Sequence, residues 1–325
     1  MPSSVARIEP ADSPEPISAP PARYRTPIIT LLLCGVCAFL FVGITSGGQQ
    51  SWESLATWGY APSQRVWDGA YWALVSSAFV HLTLWHVAFN VYWLWVIGGP
   101  VERALGPLPY LGFVLASAVV SSSMQLAVSG NTGYGASGVV YALFGLMWAS
   151  RRSVASFEQT LGQNTAILFW TWLVGCIVAT QAGMAQVGNA AHLGGITLGL
   201  LAAGWRLPRS THRTLAMAGT GLLIVFSLVP LFWSPWSPTW VGYRAYKAHV
   251  AGDYNAAISG YRRSIALGGD RSWALANLAF AYHSKGAEKE YVATLAEIRA
   301  VDAGVAAKVE AEIKESADRG TTKQQ

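Results

Sequence analysis

The stretch PIITLLLCGVCAFLFVGITS, Pro27 to Ser46, runs twenty residues without a charge. A chain with such a run has few options. About 20 apolar residues are what an α-helix needs to cross the ~30 Å hydrocarbon core of a bilayer. Backbone polar groups inside lipid must pair within the segment, which restricts spanning structure to helices or closed barrels. Six further apolar runs follow, at Leu84–Gly99, Pro109–Val128, Ser137–Ser150, Ala166–Gly183, Ala190–Gly204 and Leu215–Phe232. They predict an all-α polytopic membrane protein. The fourth and sixth runs are short and glycine-rich, so each is expected to fall short of one surface and leave a water-filled cavity there.

Charge placement sets the expected topology. Arg7, Arg23 and Arg25 precede the first run. Arg103, then Arg151 and Arg152, then Arg206, Arg209 and Arg213 occupy every second connection after it, while the intervening connections before the tail hold only Arg65. Positive charge stays on the cytoplasmic side. The N-terminus is therefore expected in the cytoplasm and the segment after the seventh run outside it. Only 12% of the 325 residues are charged, and the net charge of +5 is scattered, a pattern that excludes nucleic-acid binding. The three cysteines, Cys34, Cys37 and Cys176, lie inside apolar runs without neighbouring ligands, so neither a disulfide framework nor a metal site is expected.

The ends differ from the middle. Residues 1–26, rich in Pro, Ser and Ala, read as a disordered cytoplasmic leader without a cleavable signal core. Residues 27–205 form the six-span unit, and 206–242 hold the seventh span and a linker. From 243 to 325 the composition is that of soluble helix. Gly252 and Gly286 stand 34 residues apart there, the tetratricopeptide period. That spacing predicts a small helical-repeat tail on which a protein partner docks; a helical hairpin pair that only caps the last span is the plainer reading. Removing residues from Tyr243 onward is expected to leave whatever the membrane-embedded core does largely intact.

Ionisable side chains inside spans mark function by default, and the runs as bounded contain no Asp or Glu. Histidines are the exceptions. In HLTLWHVAFN, His86 and Asn90 are four apart and share a helix face, an arrangement that also serves helix-to-helix hydrogen bonding. In GYGASGVVYALFG, Ser137 opens an apolar helix after an uncharged loop. A serine there is commonly an N-cap. A nucleophile at that place gains the unpaired N–H groups and dipole of the helix start, which favour a forming oxyanion. Gly135 and its neighbouring glycines let another backbone approach, and Tyr141 shares the Ser137 face. In GNAAHLGGITLG, His192 stands among Gly188, Ala191, Gly195 and Gly199, whose spacing permits close helix contact. A serine and a histidine without a carboxylate suffice for acyl transfer if packing orients the imidazole.

These three motifs, in this order on the second, fourth and sixth spans, resemble the rhomboid family of intramembrane serine proteases from about Trp67 to Trp205. The resemblance implies a six-helix bundle, here with a seventh, C-terminal span. It implies Ser137 as nucleophile and His192 as general base, with no metal and no cofactor. His86 and Asn90 are implied to stabilise the oxyanion with the Ser137 N–H, Tyr141 to hold the histidine ring, and Gly195 and Gly199 to pack beside the nucleophile's helix. His81 matches a further, structural and water-organising histidine. The implied substrates are single-span membrane proteins reached through membrane lipid, and the implied location is a bacterial cytoplasmic membrane with the tail exocytoplasmic. One departure stands out: Trp72 is followed by Ala73 where the family often carries a Trp-Arg pair, so the first loop is expected to be positioned differently. The alternative reading is a catalytically silent, client-binding relative. A small-molecule transporter is disfavoured by charge-poor spans and the lack of an inverted repeat.

Overall fold

A computed structural model describes residues 26–47, 51–206 and 211–322. The expected leader falls almost wholly outside the described residues, as do Arg7, Arg23, Arg25 and Arg209. Among the described residues there are sixteen α-helices and no strand. The described residues form an all-α protein, several of whose helices are apolar and long enough to cross a membrane, followed by a small bundle of paired helices.

The first long helix, α1 (Ile28–Ser46), leads into a connection with three short helices, α2 (Trp52–Thr57), α3 (Ser63–Trp67) and α4 (Ala73–Ser76). The second span is α5 (Leu84–Trp93), a π turn at Leu94–Gly98, and α6 (Gly99–Leu105). The segment Ala73–Phe79 bends by 100° from Leu84–Leu105, with His81 in the break. The span thus runs past Gly99, the bound expected from the apolar run, to Leu105. Pro100 sits in the first turn of α6, where a missing N–H costs nothing. One consequence corrects the expectation of carboxylate-free spans: Glu102 is buried on α6. It accepts hydrogen bonds from Ile29 N (3.0 Å), Thr30 N (2.8 Å) and the Thr30 hydroxyl (2.7 Å). It thereby satisfies orphan donors at the start of α1.

Helix α7 (Pro107–Ser129) opens with Pro at its first position and closes on Gly130 in the left-handed region (φ 69°), the usual proline-first, glycine-last asymmetry. Helix α8 (Ser137–Ser150) is buried on every side over most of its length, all residues from Gly138 to Met147 being buried. A helix apolar all round belongs at the centre of a bundle, and α8 sits at the centre of the main core with Phe144 and Met147 fully enclosed. Helix α9 (Ala155–Gln181) is two pieces joined at Gly162 (φ 42°), which is why only its second piece reads as a span in sequence.

Helix α10 (Asn189–Ala203) lies backbone against backbone on α8. A Cβ at Gly145 would stand 2.6 Å from Ile196 O, and one at Gly199 2.7 Å from Leu146 N. Glycine at these positions is what permits the approach. Helix α11 (Thr211–Leu228) continues as a 3₁₀ turn to Leu231. By length and composition α1, α7, α9 and Thr211–Leu231 can each cross a membrane, the bent pair forms a fifth candidate, and α8 and α10 are the two shorter apolar helices.

The tail begins at Pro238, ahead of the composition change at 243. It comprises α12 (Pro238–Val250), α13 (Tyr254–Ala266), α14 (Arg271–Lys285), α15 (Glu288–Val301) and α16 (Ala303–Thr322). Ser237, Asp253 and Asp270 cap the first three through side-chain acceptors. Gly252 (φ 81°) and Gly286 (φ 74°) make the turns between α12 and α13 and between α14 and α15, so the 34-residue spacing marks two helical hairpins.

Candidate active site

Ser137 is the first helical residue of α8, and the preceding Ala136 occupies the cap position without a side-chain cap. The serine hydroxyl is thus free of the capping role its position suggests. It lies 2.8 Å from His192 Nε2 on α10. This contact joins the two helices whose glycines remove the space between them: a Cβ at Gly195 would press on the carbonyl of Gly138, and one at Gly199 on that of Ala142. The ring of Tyr141, one turn along α8, lies 4.6 Å from the His192 ring at 36°, and its hydroxyl donates to Phe169 O (3.3 Å) on α9. His192 is 4% exposed, and among the described residues its Nδ1 has no hydrogen-bond partner. No carboxylate therefore orients the imidazole; packing against Tyr141 and α8 does.

The loop before Ser137 is held from the other side. His81 Nδ1 donates to Phe79 O (3.0 Å), and His81 Nε2 accepts from Ala136 N (3.3 Å). The pair of bonds assigns a neutral ring protonated on Nδ1. His81 is fully buried, and its ring lies 4.9 Å from that of His86. The His86 imidazole packs on Gly135, whose φ of 102° and lack of Cβ make room for it. Tyr134 borders the same ring at 5.9 Å. Asn90 is buried and donates one amide hydrogen to His86 O on its own helix (2.9 Å). Structure thus gathers Ser137, His192 and Tyr141 in one cluster, with His81, His86 and Gly135 at the entry to α8. Asn90 stands one turn beyond His86.

Two supports escaped the sequence reading. Gln125 on α7 accepts from Ala191 N (3.2 Å), the residue before His192, and donates to Ser129 Oγ (3.0 Å). A lone Gln in a serine-rich span was its only sequence signal. The carbonyl of Ser77 accepts from Gly135 N (3.2 Å), a backbone contact that leaves no signature in side-chain types. Among the described residues no group of His, Cys, Asp and Glu is placed to hold a metal ion.

Such a cluster, an uncapped serine at a helix start bonded to a buried histidine on a neighbouring apolar helix, has the form of a serine hydrolase centre within a membrane protein. Residues 68–209 match the sequence model of the family described as the Rhomboid domain. The chain is 33% identical over 186 residues to the rhomboid protease GlpG of Yersinia pseudotuberculosis, covering 57% of this chain and 65% of that protein. It is 33% identical over 184 residues to the rhomboid protease GlpG of Serratia proteamaculans, covering 57% and 64%. The chain thus spans slightly under two thirds of the length of these relatives, and both comparisons support a rhomboid-family relationship for the helical core.

Proposed function

We propose that the protein is an intramembrane serine endopeptidase of the rhomboid type, cutting single-span membrane proteins in or beside their spans. The observation that carries the reading is the 2.8 Å contact between Ser137 Oγ and His192 Nε2. A nucleophile and base must stand within hydrogen-bond reach, and nothing else in this apolar setting requires the pair.

In the proposed reaction Ser137 Oγ attacks the scissile carbonyl carbon while its proton passes to His192 Nε2. The developing oxyanion takes hydrogen bonds from the unpaired N–H groups of the first α8 turn. His86, over Gly135, and the free amide hydrogen of Asn90 supply further donors. Collapse of the tetrahedral adduct returns the proton from His192 to the leaving amine and leaves an acyl ester on Ser137. Water attacks that ester with His192 again taking the proton, and Ser137 is regenerated. Tyr141 keeps the imidazole aligned throughout, and neither metal nor cofactor takes part.

Orientation follows the arginine pattern: N-terminus cytoplasmic and tail exocytoplasmic, in a bacterial cytoplasmic membrane. The tail is proposed as a tetratricopeptide-like pair of hairpins that docks a protein partner. An open, shallow depression lined by Tyr246, His249, Val250, Tyr254, Asn277, Phe280 and Glu312 is the surface such a partner would meet.

The test is labelling of the solubilised protein with a fluorophosphonate probe. Labelling is expected in the wild type and absent in Ser137→Ala and His192→Ala. A folded wild type that does not label would sink the protease reading in favour of a silent, client-binding relative.

A further inference from the structure

The turn entering Ser137, residues 130–136, has two supports outside its own helix. At its far end Gly135 N donates to Ser77 O (3.2 Å), Ala136 N to His81 Nε2 (3.3 Å), and the Thr132 hydroxyl to Ser77 Oγ (3.4 Å). It therefore hangs on residues 77–81, the close of the loop that joins α1 to α5. At its near end Gly130 follows α7 and has no space for a side chain, because Thr239 of α12 sits against it.

The first support is in turn held by the segment 230–247, to which Thr239 of the second itself belongs. Leu231 packs with Ala61, Val66, Ala73, Leu74 and Leu126. Trp67 Nε1 donates to Pro230 O (3.1 Å), and Trp236 Nε1 to Ala127 O (2.9 Å) in the last turn of α7. The Trp67 and Tyr243 rings meet at 5.3 Å. The Tyr243 hydroxyl donates to Asp68 Oδ1 (2.6 Å), which Lys247 Nζ also approaches (3.2 Å). Gly59 and Gly69 take the loop through left-handed turns (φ 90° and 108°), and the contacts from 230–247 add to the hydrogen bonds the loop makes within itself.

We propose that the tail is part of the active-site frame: Tyr243, through Asp68 and the first loop, is a positioning residue for the turn that presents Ser137. The inference rests on the protease reading for its catalytic consequence, though not for its structural one. Of the two partners of Asp68, the tyrosine carries the effect. Tyr243 is 8% exposed and its bond is short and charge-assisted. The Lys247–Asp68 pair is 53% and 45% exposed, and such pairs add little.

The experiment uses the full chain in detergent or bicelles and compares wild type, Tyr243→Phe, Asp68→Asn, the double variant and Lys247→Gln. Amide hydrogen exchange of the peptide covering 130–136 is read first. It should quicken by about tenfold in Tyr243→Phe, the scale of losing one hydrogen bond to a charged group, and stay within about twofold in Lys247→Gln. Cleavage should show a fall in kcat with KM unchanged, and the double variant should be no worse than the more affected single one. Unchanged exchange at 130–136 in a Tyr243→Phe protein whose α12–α13 amides remain protected would overturn the proposal, as would additive effects in the double variant. If the wild type fails to label with fluorophosphonate, the protease reading falls while the exchange data still decide the coupling. Tyr243→Phe removes only an oxygen and keeps the ring on Trp67; should Asp68→Asn fail to fold, it decides alone.

Discussion

Replacing Gly195 by alanine tests whether close packing of α8 and α10 sets the reacting distance. Gly195 lies one turn after His192, and the Gly138 peptide it faces follows Ser137 directly. A Cβ at Gly195 would stand 3.0 Å from Gly138 C and nearer still to Gly138 O. Both are backbone atoms of a buried helix and have nowhere to go. Relieving both contacts, the carbonyl oxygen being the nearer, moves the helices apart by roughly 1 Å. The Ser137–His192 contact is 2.8 Å, so the same displacement takes it past the ~3.2 Å limit for proton transfer. A misplacement of ~1 Å costs on the order of 10²-fold in rate, and overpacking costs about 1–3 kcal/mol of stability. Cleavage of a transmembrane reporter should therefore fall by roughly that factor in Gly195→Ala, together with the fluorophosphonate labelling rate. Gly112→Ala is the control, since nothing lies within 4 Å of its added methyl. A Gly195→Ala protein that keeps kcat within about threefold of wild type would refute the link between helix separation and reactivity.

Losing the His81 ring in His81→Ala leaves the buried Ala136 N–H without an acceptor, a cost of about 1–3 kcal/mol; a lowered unfolding temperature and slower labelling at Ser137 should appear together. Glu102→Ala strips three hydrogen bonds from the first turn of α1. Thermal unfolding should shift down by several degrees, on the scale of about 1.5–3 kcal/mol for a charged acceptor, while labelling at Ser137 persists in the folded fraction. Docking of α12 on the first loop should fail at both pH extremes. The hydrogen bond from Tyr243, then the nearby Lys247 and Arg65 charges, hold the Asp68 carboxyl below its ordinary value. That contribution is present above the unfolded carboxylate range and is lost as pH falls through the lowered value. Burial and the Asp68 contact push Tyr243 up to about 12, so its contribution is complete below the ordinary tyrosine range near ~10 and is lost as pH rises toward the folded value. Hydrogen exchange across α12 against pH reads both limits, and a flat profile in Tyr243→Phe is the expected contrast.

Much of the core could be read from residue types because lipid makes polar groups conspicuous. Ser137, His86 and His192 stand out in spans that carry almost nothing else able to react, and the short glycine-rich runs become α8 and α10 at the bounds Ser137–Ser150 and Asn189–Ala203. The second span was harder. The apolar run ends at Gly99, yet the helix continues: a π turn at Leu94–Gly98 is followed by α6, whose first turn tolerates Pro100. Glu102 falls beyond the bound at Gly99, and a carboxylate belongs in water unless partners are waiting. Those partners are the N–H groups of α1, 73 and 72 positions away.

The relation of tail to core was not legible for a different reason. Period and composition report what a segment does with its own neighbours: Gly252 and Gly286 mark hairpin turns wherever those hairpins sit. Tyr243 lies 175 positions from Asp68, and neither residue is unusual in its local pattern. A composition change at 243 separates membrane from soluble helix, while the physical boundary differs, because α12 begins at Pro238 and its first turns are bound to the first loop and to Gly130. A truncation at 243 therefore cuts through a helix that packs on the frame of Ser137. It should slow cleavage even of a substrate that never touches the tail, against the expectation from composition alone. A truncation after Val250, which keeps Tyr243 and Lys247, separates the two roles: if activity returns there, α12 supports the site and the later hairpins serve whatever docks on them.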